Sequence, residues 1–384
     1  MDELKRYREE IDAIDRQLAQ LFQRRMDVVD HVGRYKVARN MPVLDAKREQ
    51  EVLAAKAALA RDEAMSADLA TLFESIMAIS RRRQRKLVQE SGEEPGYERC
   101  KKAMAAARTP IENPKVAYQG VAGAYSEMAC INFFGNESEN IGFEQFEDVF
   151  EALKKGEADY AVLPIENSTS GAIRQVYDLM TRYEYSIVGE TAVRVEHCLM
   201  APKGATLDTI THVYSHEQGL FQSDRFLNGH PDWIQVPCAD TAGAGQYVAQ
   251  TGDMTKAAIC SERAAQLYGL EILVRGTNHN ANNNTRFVVV RPVMELREGA
   301  DKISTVFSLP HEAGSLHRIM TIFAVNGLNM TRLESRPMPG RSWEYMFFLE
   351  FTGSLNAPEM DGILRELSQT AADFRVLGNF VSNL

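Results

Sequence analysis

Residues 4–36 read LKRYREEIDAIDRQLAQLFQRRMDVVDHVGRYK, and this stretch sets the architecture of the N-terminal part of the chain. Its apolar residues repeat every seven positions in two staggered series. Leu4, Ile11, Leu18 and Val32 form the first series, and Tyr7, Ile14, Leu21, Val28 and Tyr35 form the second. Such a repeat is typical of a long helix that buries one stripe against a partner helix. The pattern therefore predicts one helix over residues 4–36.

Arg25 interrupts the first series at a position where an apolar residue is expected. Because a buried and unpaired guanidinium costs several kcal/mol, either a carboxylate of the chain or an anionic ligand should meet it. Lys36 lies within about 20° of Arg25 on the helix face and roughly 16 Å further along, so both cations could bind one small molecule. Arg8 is about 25 Å from Arg25 along a straight helix, too far to share that ligand within one chain. An antiparallel partner helix would bring Arg8 close.

Length, composition and charge limit the possible classes of protein. The chain has 384 residues, enough for two to four domains. Its 45% hydrophobic and 25% charged residues are ordinary for globular protein and exclude collagen-like, disordered and membrane-spanning chains. A net charge of −10 makes nucleic acid and anionic membranes poor general partners. Five scattered cysteines without a CxxC pair, and no leader-like N-terminus, predict a cytoplasmic protein without disulfides.

Changes in pattern divide the chain into blocks. Residues 1–90 are predicted to be all-helical, with further helices at about 45–61 and 66–88, and the Gly- and Pro-containing residues 91–114 have the composition of a linker that could hold a short helix. Residues 115–295 alternate short apolar strands with helix-like stretches, which predicts an α/β domain with a largely parallel sheet. Residues 300–384 have the element order βαββαβ of a ferredoxin-like α+β domain.

Further polar residues of the helical block fall on common helix faces. Asp45, Arg48 and Glu49 share one face, and Ser80 and Gln84 lie one turn apart. The simpler alternatives are an N-cap at Asp45, a solvated Arg48 and a polar helix end at Ser80. The basic run at 81–86 could suggest nucleic acid, but a cationic helix C-terminus stabilised by the helix dipole explains it better.

Taken together, Arg8, Arg25, Lys36, the segment 42–49, Ser80 and Gln84 resemble the all-helical class of chorismate mutase over about residues 1–88. The resemblance implies an intertwined dimer in which Arg8 reaches the site of the partner. It also implies a Claisen rearrangement of chorismate to prephenate that needs no nucleophile, metal or cofactor. The implied roles are carboxylate binding by Arg8, Arg25, Arg48 and Ser80, donation to the ether oxygen by Lys36 and Gln84, and binding of the ring hydroxyl and nearby polar groups by Glu49 and Asp45.

In the α/β block, polar turns at 120–126, 164–171 and 215–218 follow strands and open helices, the usual place for anion sites in such sheets, although each could be simple capping. The turn at 120–123 lacks the dinucleotide fingerprint. Residues 164–168, 215–218 and Thr285-Arg286-Phe287 resemble the prephenate dehydratases over roughly 115–292.

That resemblance implies a two-lobed, periplasmic-binding-protein-like fold whose cleft converts prephenate to phenylpyruvate by loss of CO2 and water. It makes Thr285 the residue most tied to activity, as a positioned donor that could relay a proton from Glu166 or solvent. The candidate prephenate binders are Glu166, Asn167, Ser168, Ser215, Gln218, Thr285 and Arg286. Arg286 could equally be a structural ion-pair partner.

Two segments of the last block, 311–316 and 333–337, resemble the amino-acid-binding motifs of ACT domains in phenylalanine-inhibited dehydratases. The resemblance implies that L-phenylalanine binds at a dimer interface and inhibits. The alternative is a helix cap and a β-turn. The candidate effector residues are Gly314, Ser315, Leu316, Glu334, Ser335, Arg336 and Pro337.

The blocks together favour a bifunctional enzyme of phenylalanine biosynthesis, acting on chorismate and prephenate, regulated by L-phenylalanine and forming a homodimer or larger homo-oligomer. It is predicted to need no cofactor and no metal. One alternative is a non-catalytic small-molecule sensor with a helical dimerisation arm. Another is a dehydratase whose helical block is mainly regulatory. A prephenate dehydrogenase is disfavoured because the dinucleotide fingerprint is missing.

Overall fold

The computed structural model describes residues 2–39, 41–85, 87, 95–280, 282–312, 314–338 and 344–383. Its N-terminal domain consists of helices α1 (Asp2–Val37), α2 (Ala46–Ala57) and α3 (Glu63–Arg85). Helix α1 is unbroken, as the heptad pattern predicts, and α3 packs against both α1 and α2. Residues 86 and 88, at the predicted end of the third helix, lie outside the described part.

The apolar stripe of α1 is exposed in the single chain. Ile11, Leu18 and Val28 have more than half of their surface exposed, at 56%, 55% and 60%. Burial of such side chains contributes roughly 1.5–3 kcal/mol each, so a long apolar stripe in water is unfavourable. Within the described part of the single chain, this apolar face of α1 is therefore left uncovered.

The segment predicted as a linker contains helix α4 (Pro95–Ala105), and this helix packs against the C-terminal domain. Tyr97 and Cys100 are buried in the core of that domain, with Met104 against it. The spacing i, i+3 and i+7 places all three residues on one helix face. The nearby Gly and Pro residues are typical of a linker, so the sequence does not predict that this helix packs into a core.

The following domain has two lobes, and the chain crosses twice between them. Its elements are β1 (Lys115–Gln119), α5 (Tyr125–Phe134), β2 (Glu139–Phe143), α6 (Phe146–Lys155), β3 (Tyr160–Asn167), β4 (Gly171–Ala172), α7 (Arg174–Tyr183), β5 (Ser186–Arg194), β6 (Cys198–Ala201), β7 (His212–His216), α8 (Glu217–Gln222), α9 (Asp224–Leu227), β8 (Ile234–Cys238), α10 (Thr241–Thr251), β9 (Lys256–Cys260), α11 (Glu262–Tyr268), β10 (Glu271–Arg275) and β11 (Asn284–Arg291). The first lobe has the sheet order β2-β1-β3-β11-β5, and the second β10-β6-β9-β7-β8.

The prediction of a largely parallel sheet is wrong, because both sheets are mixed. Strands β1, β2 and β3 run parallel, as do β7, β8 and β9. Strand β11 returns from the second lobe and pairs antiparallel with both β3 and β5. Strands β6 and β10 are likewise antiparallel to their neighbours. Local βα alternation predicts the parallel strands correctly but gives no sign of these returning strands.

The C-terminal domain contains β12 (Lys302–Ser308), α12 (Ser315–Asn326), β13 (Met330–Pro337), β14 (Tyr345–Thr352), α13 (Met360–Thr370) and β15 (Ala372–Phe380). Its antiparallel sheet has the order β13-β14-β12-β15, which confirms the predicted ferredoxin-like topology. Strand β15 packs against β5 of the first lobe, where a Cβ on Gly378 would lie 1.8 Å from the carbonyl oxygen of Ile187. Only glycine allows this approach. Among the described helices, none combines the length and apolar character that a bilayer-spanning segment needs.

Candidate active sites

The pairing of β3 with β11 directs neighbouring candidate residues to opposite faces of one sheet. Thr285 is paired with Asn167, and Arg286 with Glu166. Successive residues of a strand point to opposite faces of the sheet. Asn167 and Thr285 consequently line the cleft between the lobes, whereas Glu166 and Arg286 face the C-terminal domain.

The side chain of Thr285 is held by an amide. Asn167 Nδ2 donates a hydrogen bond of 2.9 Å to Thr285 Oγ1. The side-chain oxygen Oδ1 of Asn167 accepts from the backbone N–H groups of Thr169 and Ser170. Because this amide acts only as a donor to the threonine, the hydroxyl hydrogen of Thr285 remains available for an acceptor in the cleft. Thr285 can therefore act as a positioned hydrogen-bond donor.

A chain of amides extends from Thr285 into the second lobe. Asn167 Nδ2 also donates to Asn283 at 2.7 Å, and Asn283 Nδ2 donates to Gln222 Oε1 at 2.8 Å. The same Gln222 oxygen lies 3.0 Å from His197 Nε2. Satisfied buried amides of this kind fix side chains in one arrangement. The position of Thr285 thus depends on residues of both lobes.

The cleft has a volume of about 480 Å³, suited to a small organic acid. Of the described residues that line it, none is lysine or arginine. Anion binding in this cleft must therefore rely on N–H groups, amides, hydroxyls and imidazoles. The polar lining residues include Gln119, Ser126, Asn167, Ser170 and Thr285 from the first lobe and His216, Gln218, Gln222, Asp240 and Thr241 from the second.

The structure brings only part of the predicted prephenate set to the cleft. Asn167, Gln218 and Thr285 line it. Ser215 is fully buried and donates 2.6 Å to the carbonyl oxygen of Ile259, and Ser168 bonds backbone atoms of residues 282 and 284. Both hydroxyl groups are therefore occupied by backbone partners, and we do not propose Ser168 or Ser215 as prephenate binders.

Glu166 and Arg286 also turn away from the cleft, which removes the proposed proton relay from Glu166 to Thr285. Glu166 accepts a hydrogen bond from Arg332 on β13. Arg286 forms ion pairs with Glu190 at 2.6 Å and Glu350 at 2.7 Å. Burial opposes the charge of Arg286, but these carboxylates outweigh it and raise the pKa of the guanidinium. Of the two roles that the sequence left open for Arg286, the structure favours the structural ion pair.

Replacing Arg286 with methionine is expected to lower the free energy of unfolding by about 3–5 kcal/mol, because it leaves Glu190 and Glu350 buried with less compensation. The KM for prephenate should change little. Urea unfolding and steady-state kinetics of the same preparation check this. The exposed Lys154→Met is the control and should cost less than about 0.5 kcal/mol. A large rise in KM with unchanged stability would return Arg286 to the binding set.

Several cleft residues were not singled out from the sequence. Tyr125 and Ser126 are the first residues of α5, at the end of the segment 120–126 that the sequence indicates as an anion site, and Gln222 lies four residues after Gln218 on the same helical face. Their positions in the sequence could therefore have identified these three residues. His197, in the crossing between β5 and β6, had no such signal, because an isolated histidine carries no pattern.

His197 is buried and neutral. Burial lowers its pKa to about 4, although the hydrogen bond with Gln222 acts in the opposite direction. An unfolded chain binds a proton at this histidine below about pH 6.5, whereas the folded chain does so only below about pH 4. The unfolded state therefore binds more protons between these values, and stability rises with pH across this window and is complete above it.

We expect His197 to account for a loss of about 3 kcal/mol in the free energy of unfolding between pH 7 and pH 4. His197→Gln should reduce the slope of stability against pH in that range, while His31→Gln on the exposed side of α1 should leave it unchanged. Urea unfolding at closely spaced pH values measures both slopes. Equal slopes for His197→Gln and the unmodified chain would contradict the prediction.

In the helical domain, Arg25, Ser80 and Gln84 meet between α1 and α3. Arg25 Nη1 donates 2.6 Å to Ser80 Oγ, and within the described residues no carboxylate lies within ion-pair distance of Arg25. Burial lowers the pKa of Arg25. The Oε1 atom of Gln84 is buried without a hydrogen-bond partner in the described structure. The half-buried guanidinium of Arg25 can bind an anion, and the unsatisfied oxygen of Gln84 can accept from a hydroxyl of the same ligand.

The other mutase candidates lie in different environments, and some of them have structural partners. Lys36 Nζ donates 2.5 Å to the carbonyl oxygen of Val43, beside the start of α2. Asp45 caps α2 by accepting from the N–H of Arg48, and the exposed Arg48 side chain pairs with Glu51, as the simpler alternatives anticipated. Glu49 faces α3, where Arg81 binds it. Arg8 lies at the far end of the unbroken α1, so the distance argument that separates it from Arg25 holds.

The two predicted effector motifs lie in different places of the single chain. Gly314, with φ +84°, precedes α12, and a cavity of about 140 Å³ beside it is lined by residues that include Ser315 and Leu316. Of the β13 residues Glu334, Ser335, Arg336 and Pro337, none lines this cavity. Arg336 instead pairs with Asp178 of the dehydratase-like domain at 3.1 Å. One chain alone does not assemble both motifs into one pocket.

Comparison with known proteins covers both candidate sites. Residues 7–85 match the family model of chorismate mutase type II, and residues 116–295 match that of prephenate dehydratase. The chain is 34% identical over 98% of its length, and 95% of the relative's, to the bifunctional chorismate mutase/prephenate dehydratase of Escherichia coli (strain K12). The chain belongs to the bifunctional chorismate mutase/prephenate dehydratase family. Its helical domain is thus a chorismate mutase domain, and its two-lobed domain a prephenate dehydratase domain.

Solved structures resemble the dehydratase and C-terminal parts of this family member. Prephenate dehydratase from Arthrobacter aurescens in complex with L-Phe has a TM-score of 0.63, is 29% identical and covers 70% of this chain and 90% of its own. GqqA, a quorum-quenching acylase, has a TM-score of 0.64 and 31% identity, covering 70% and 98%. Since a prephenate dehydratase and a quorum-quenching acylase share this fold, fold alone does not determine function. For this chain, the matches of both domains to catalytic families identify the function.

Proposed function

We propose that the chain converts chorismate to prephenate in the helical domain and prephenate to phenylpyruvate in the cleft, under control of L-phenylalanine. The observation that carries the proposal is the pair of separate sites in one chain: the unpaired Arg25 beside Ser80 and Gln84, and the Thr285 hydroxyl held by Asn167. We take 1–90, 115–295 and 300–384 as the domain limits. The segment between the first two is docked on the C-terminal domain through α4.

The rearrangement of chorismate is unimolecular, so the mutase site has to select a compact substrate geometry and stabilise the charge on the breaking ether oxygen. Arg25 supplies N–H donors for a carboxylate, and Ser80 would assist by orienting the guanidinium, since its Oγ atom accepts from Arg25 and donates to the carbonyl oxygen of Ile76. Lys36 and Gln84 are the proposed donors to the ether oxygen. Gln84 Nε2 donates to the carbonyl oxygen of Ser80 at 3.4 Å and its Oε1 atom is unsatisfied, so Gln84 would donate to the ligand after its amide group turns over. Glu49 would accept from the ring hydroxyl.

In the dehydratase cleft, the bond from the ring to its carboxylate breaks and releases CO2, and its electron pair enters the ring. The ring hydroxyl departs and takes up a proton to leave as water, which produces the aromatic ring. Thr285 would donate a hydrogen bond to the departing oxygen, and solvent would supply the net proton. The absence of lysine and arginine among the described lining residues suits this step, because a strong cation would stabilise the carboxylate that must be lost.

The exposed stripe of α1 supports a homodimer in which Arg8 completes the mutase site of the partner. We expect Arg8→Ala and Lys36→Ala to be separately inactive as mutases. Unfolding and refolding them as an equal mixture should restore about a quarter of the unmodified activity, because half of the dimers are mixed and each mixed dimer has one intact site. Prephenate formation measures this. Two variants that stay inactive as a refolded mixture, while each retains dehydratase activity, would place Arg8 outside the site.

The effector proposal rests on the small cavity beside Gly314 and on β13, an edge strand that a second chain could approach. A dimer would bring the first motif of one chain to the second motif of the other. The complex of L-Phe with the related Arthrobacter aurescens protein supports phenylalanine as the effector.

One assay tests the whole proposal. Purified protein receives chorismate, and prephenate and phenylpyruvate are measured with and without L-phenylalanine. Both products should form, and phenylalanine should reduce phenylpyruvate. No phenylpyruvate from supplied prephenate would overturn the dehydratase function, and binding without turnover would favour the non-catalytic sensor. Phenylpyruvate from prephenate but no turnover of chorismate would favour a mainly regulatory helical domain.

A further inference from the structure

The basic run on α3 docks the mutase domain onto the C-terminal domain. Arg82 donates to the carbonyl oxygen of Val325, and Arg85 binds Glu366 on α13. Arg81 Nε lies 3.1 Å from Glu366 Oε1. The carboxylate of Glu366 is almost fully buried, with 2% of its side chain exposed. The sequence favoured a cationic helix end for this run, and in the structure its arginines form an interdomain contact.

Arg81 reaches the mutase site at the same time. Its Nη1 atom contacts both oxygens of Glu49, at 2.5 and 2.7 Å. The side chain of Arg81 is 15% exposed and that of Glu49 25% exposed, so water screens the pair only partly. Burial opposes the charge of Arg81, but the carboxylates of Glu49 and Glu366 outweigh this effect and raise the pKa of the guanidinium. One arginine thus joins a proposed substrate-binding carboxylate to a carboxylate of another domain.

We propose that Arg81 is a positioning residue for Glu49 and that Glu366 of the C-terminal domain holds Arg81 in place, so that the C-terminal domain forms part of the mutase site. The proposal rests on the mutase function proposed above. Glu366 fixes the guanidinium at Nε, which leaves Nη1 directed at Glu49. Without Glu366, Arg81 would gain rotational freedom, and the carboxylate of Glu49 would lose its fixed orientation toward the ring hydroxyl.

The experiment uses the full-length enzyme and the variants Glu366→Gln, Arg81→Gln and their combination. Each single change should lower mutase kcat/KM by about 3- to 30-fold, the range expected for coupled residues. The loss should appear mainly as a higher KM for chorismate, because Glu49 would bind the hydroxyl before and during the rearrangement. Dehydratase kinetics with supplied prephenate should stay within about two-fold and report correct folding. Glu74→Gln removes another carboxylate from the same interface, facing His317 and Arg318, and is the matched control with unchanged mutase kinetics.

The double variant separates positioning from general stabilisation. If Glu366 acts through Arg81, adding Glu366→Gln to Arg81→Gln should change mutase KM by less than about two-fold, whereas independent effects would multiply. Mutase kinetics of Glu366→Gln equal to those of the unmodified enzyme would overturn the proposal. So would the same loss in Glu74→Gln. If Glu366→Gln lowers both activities, Arg81→Lys decides: selective mutase loss supports the proposal and equal loss of both activities refutes it. An unmodified enzyme that does not convert chorismate would instead refute the mutase function itself.

Discussion

Thr285→Ala is expected to lower kcat for prephenate dehydration by about 10²- to 10⁴-fold, the range for loss of a positioned acid or donor. The change removes the hydroxyl that Asn167 orients toward the cleft. Chorismate rearrangement should be unchanged, because the mutase site lies in a different domain. Phenylpyruvate formation from prephenate and loss of chorismate, measured on one preparation, give both rates.

Two further substitutions at this position separate chemistry from packing. Thr285→Ser keeps the hydroxyl and should retain most of the activity, whereas Thr285→Val keeps the shape and should be as inactive as alanine. Both non-hydroxyl variants leave one donor of Asn167 without its partner, which costs about 1–3 kcal/mol of stability, so activity should be measured well below the unfolding transition. A valine variant as active as the serine variant would show that the hydroxyl takes no part in the reaction.

Lys36→Ala is expected to lower mutase kcat by about 10²- to 10³-fold, corresponding to about 2.7–4 kcal/mol for one donor to developing negative charge. Lys36 lies in the last turn of the long helix α1, and its ammonium group donates to the carbonyl oxygen of Val43 near the start of α2. Loss of this donor should affect the transition state more than substrate binding. Steady-state kinetics with chorismate should therefore show a fall in kcat that exceeds the change in KM.

The control for Lys36 is another lysine on the same helix. Lys5 is exposed, and within the described residues its ion pair is the i,i+4 contact with Glu9, so Lys5→Ala should leave mutase kinetics unchanged. Dehydratase activity should be normal in both variants. If Lys36→Ala also abolished dehydratase activity while the chain remained folded, the two sites would not be independent.

Much of the architecture could be predicted because its determinants are local. The heptad series identified α1, the strand and helix patterns identified the ferredoxin-like order, and the polar turns identified Asn167 and Gln218. Thr285 was identified by its resemblance to the prephenate dehydratase motif. The mixed sheets could not be predicted in this way, because β11 joins its partners β3 and β5 after the chain has passed through the second lobe. A short helix was anticipated within the predicted linker, but the packing of α4 on the C-terminal domain was not, because its apolar stripe is short and lies among turn-forming residues.

The candidate sites show the same division. Glu166 and Asn167 are neighbours, as are Thr285 and Arg286. From the sequence all four are candidate binders, with a structural ion pair as an equal alternative for Arg286. The register of β3 and β11 places Asn167 and Thr285 at the cleft and directs Glu166 and Arg286 toward the C-terminal domain. The place of Arg25 in an apolar series, the long helix, the element order and both catalytic motifs follow from the sequence alone, because periodicity and short motifs express local chemistry. The orientation of each strand face, the amide chain behind Thr285 and the contact of Arg81 with Glu366 require the folded chain. They join side chains up to 285 positions apart, and only tertiary packing brings such residues within hydrogen-bonding distance.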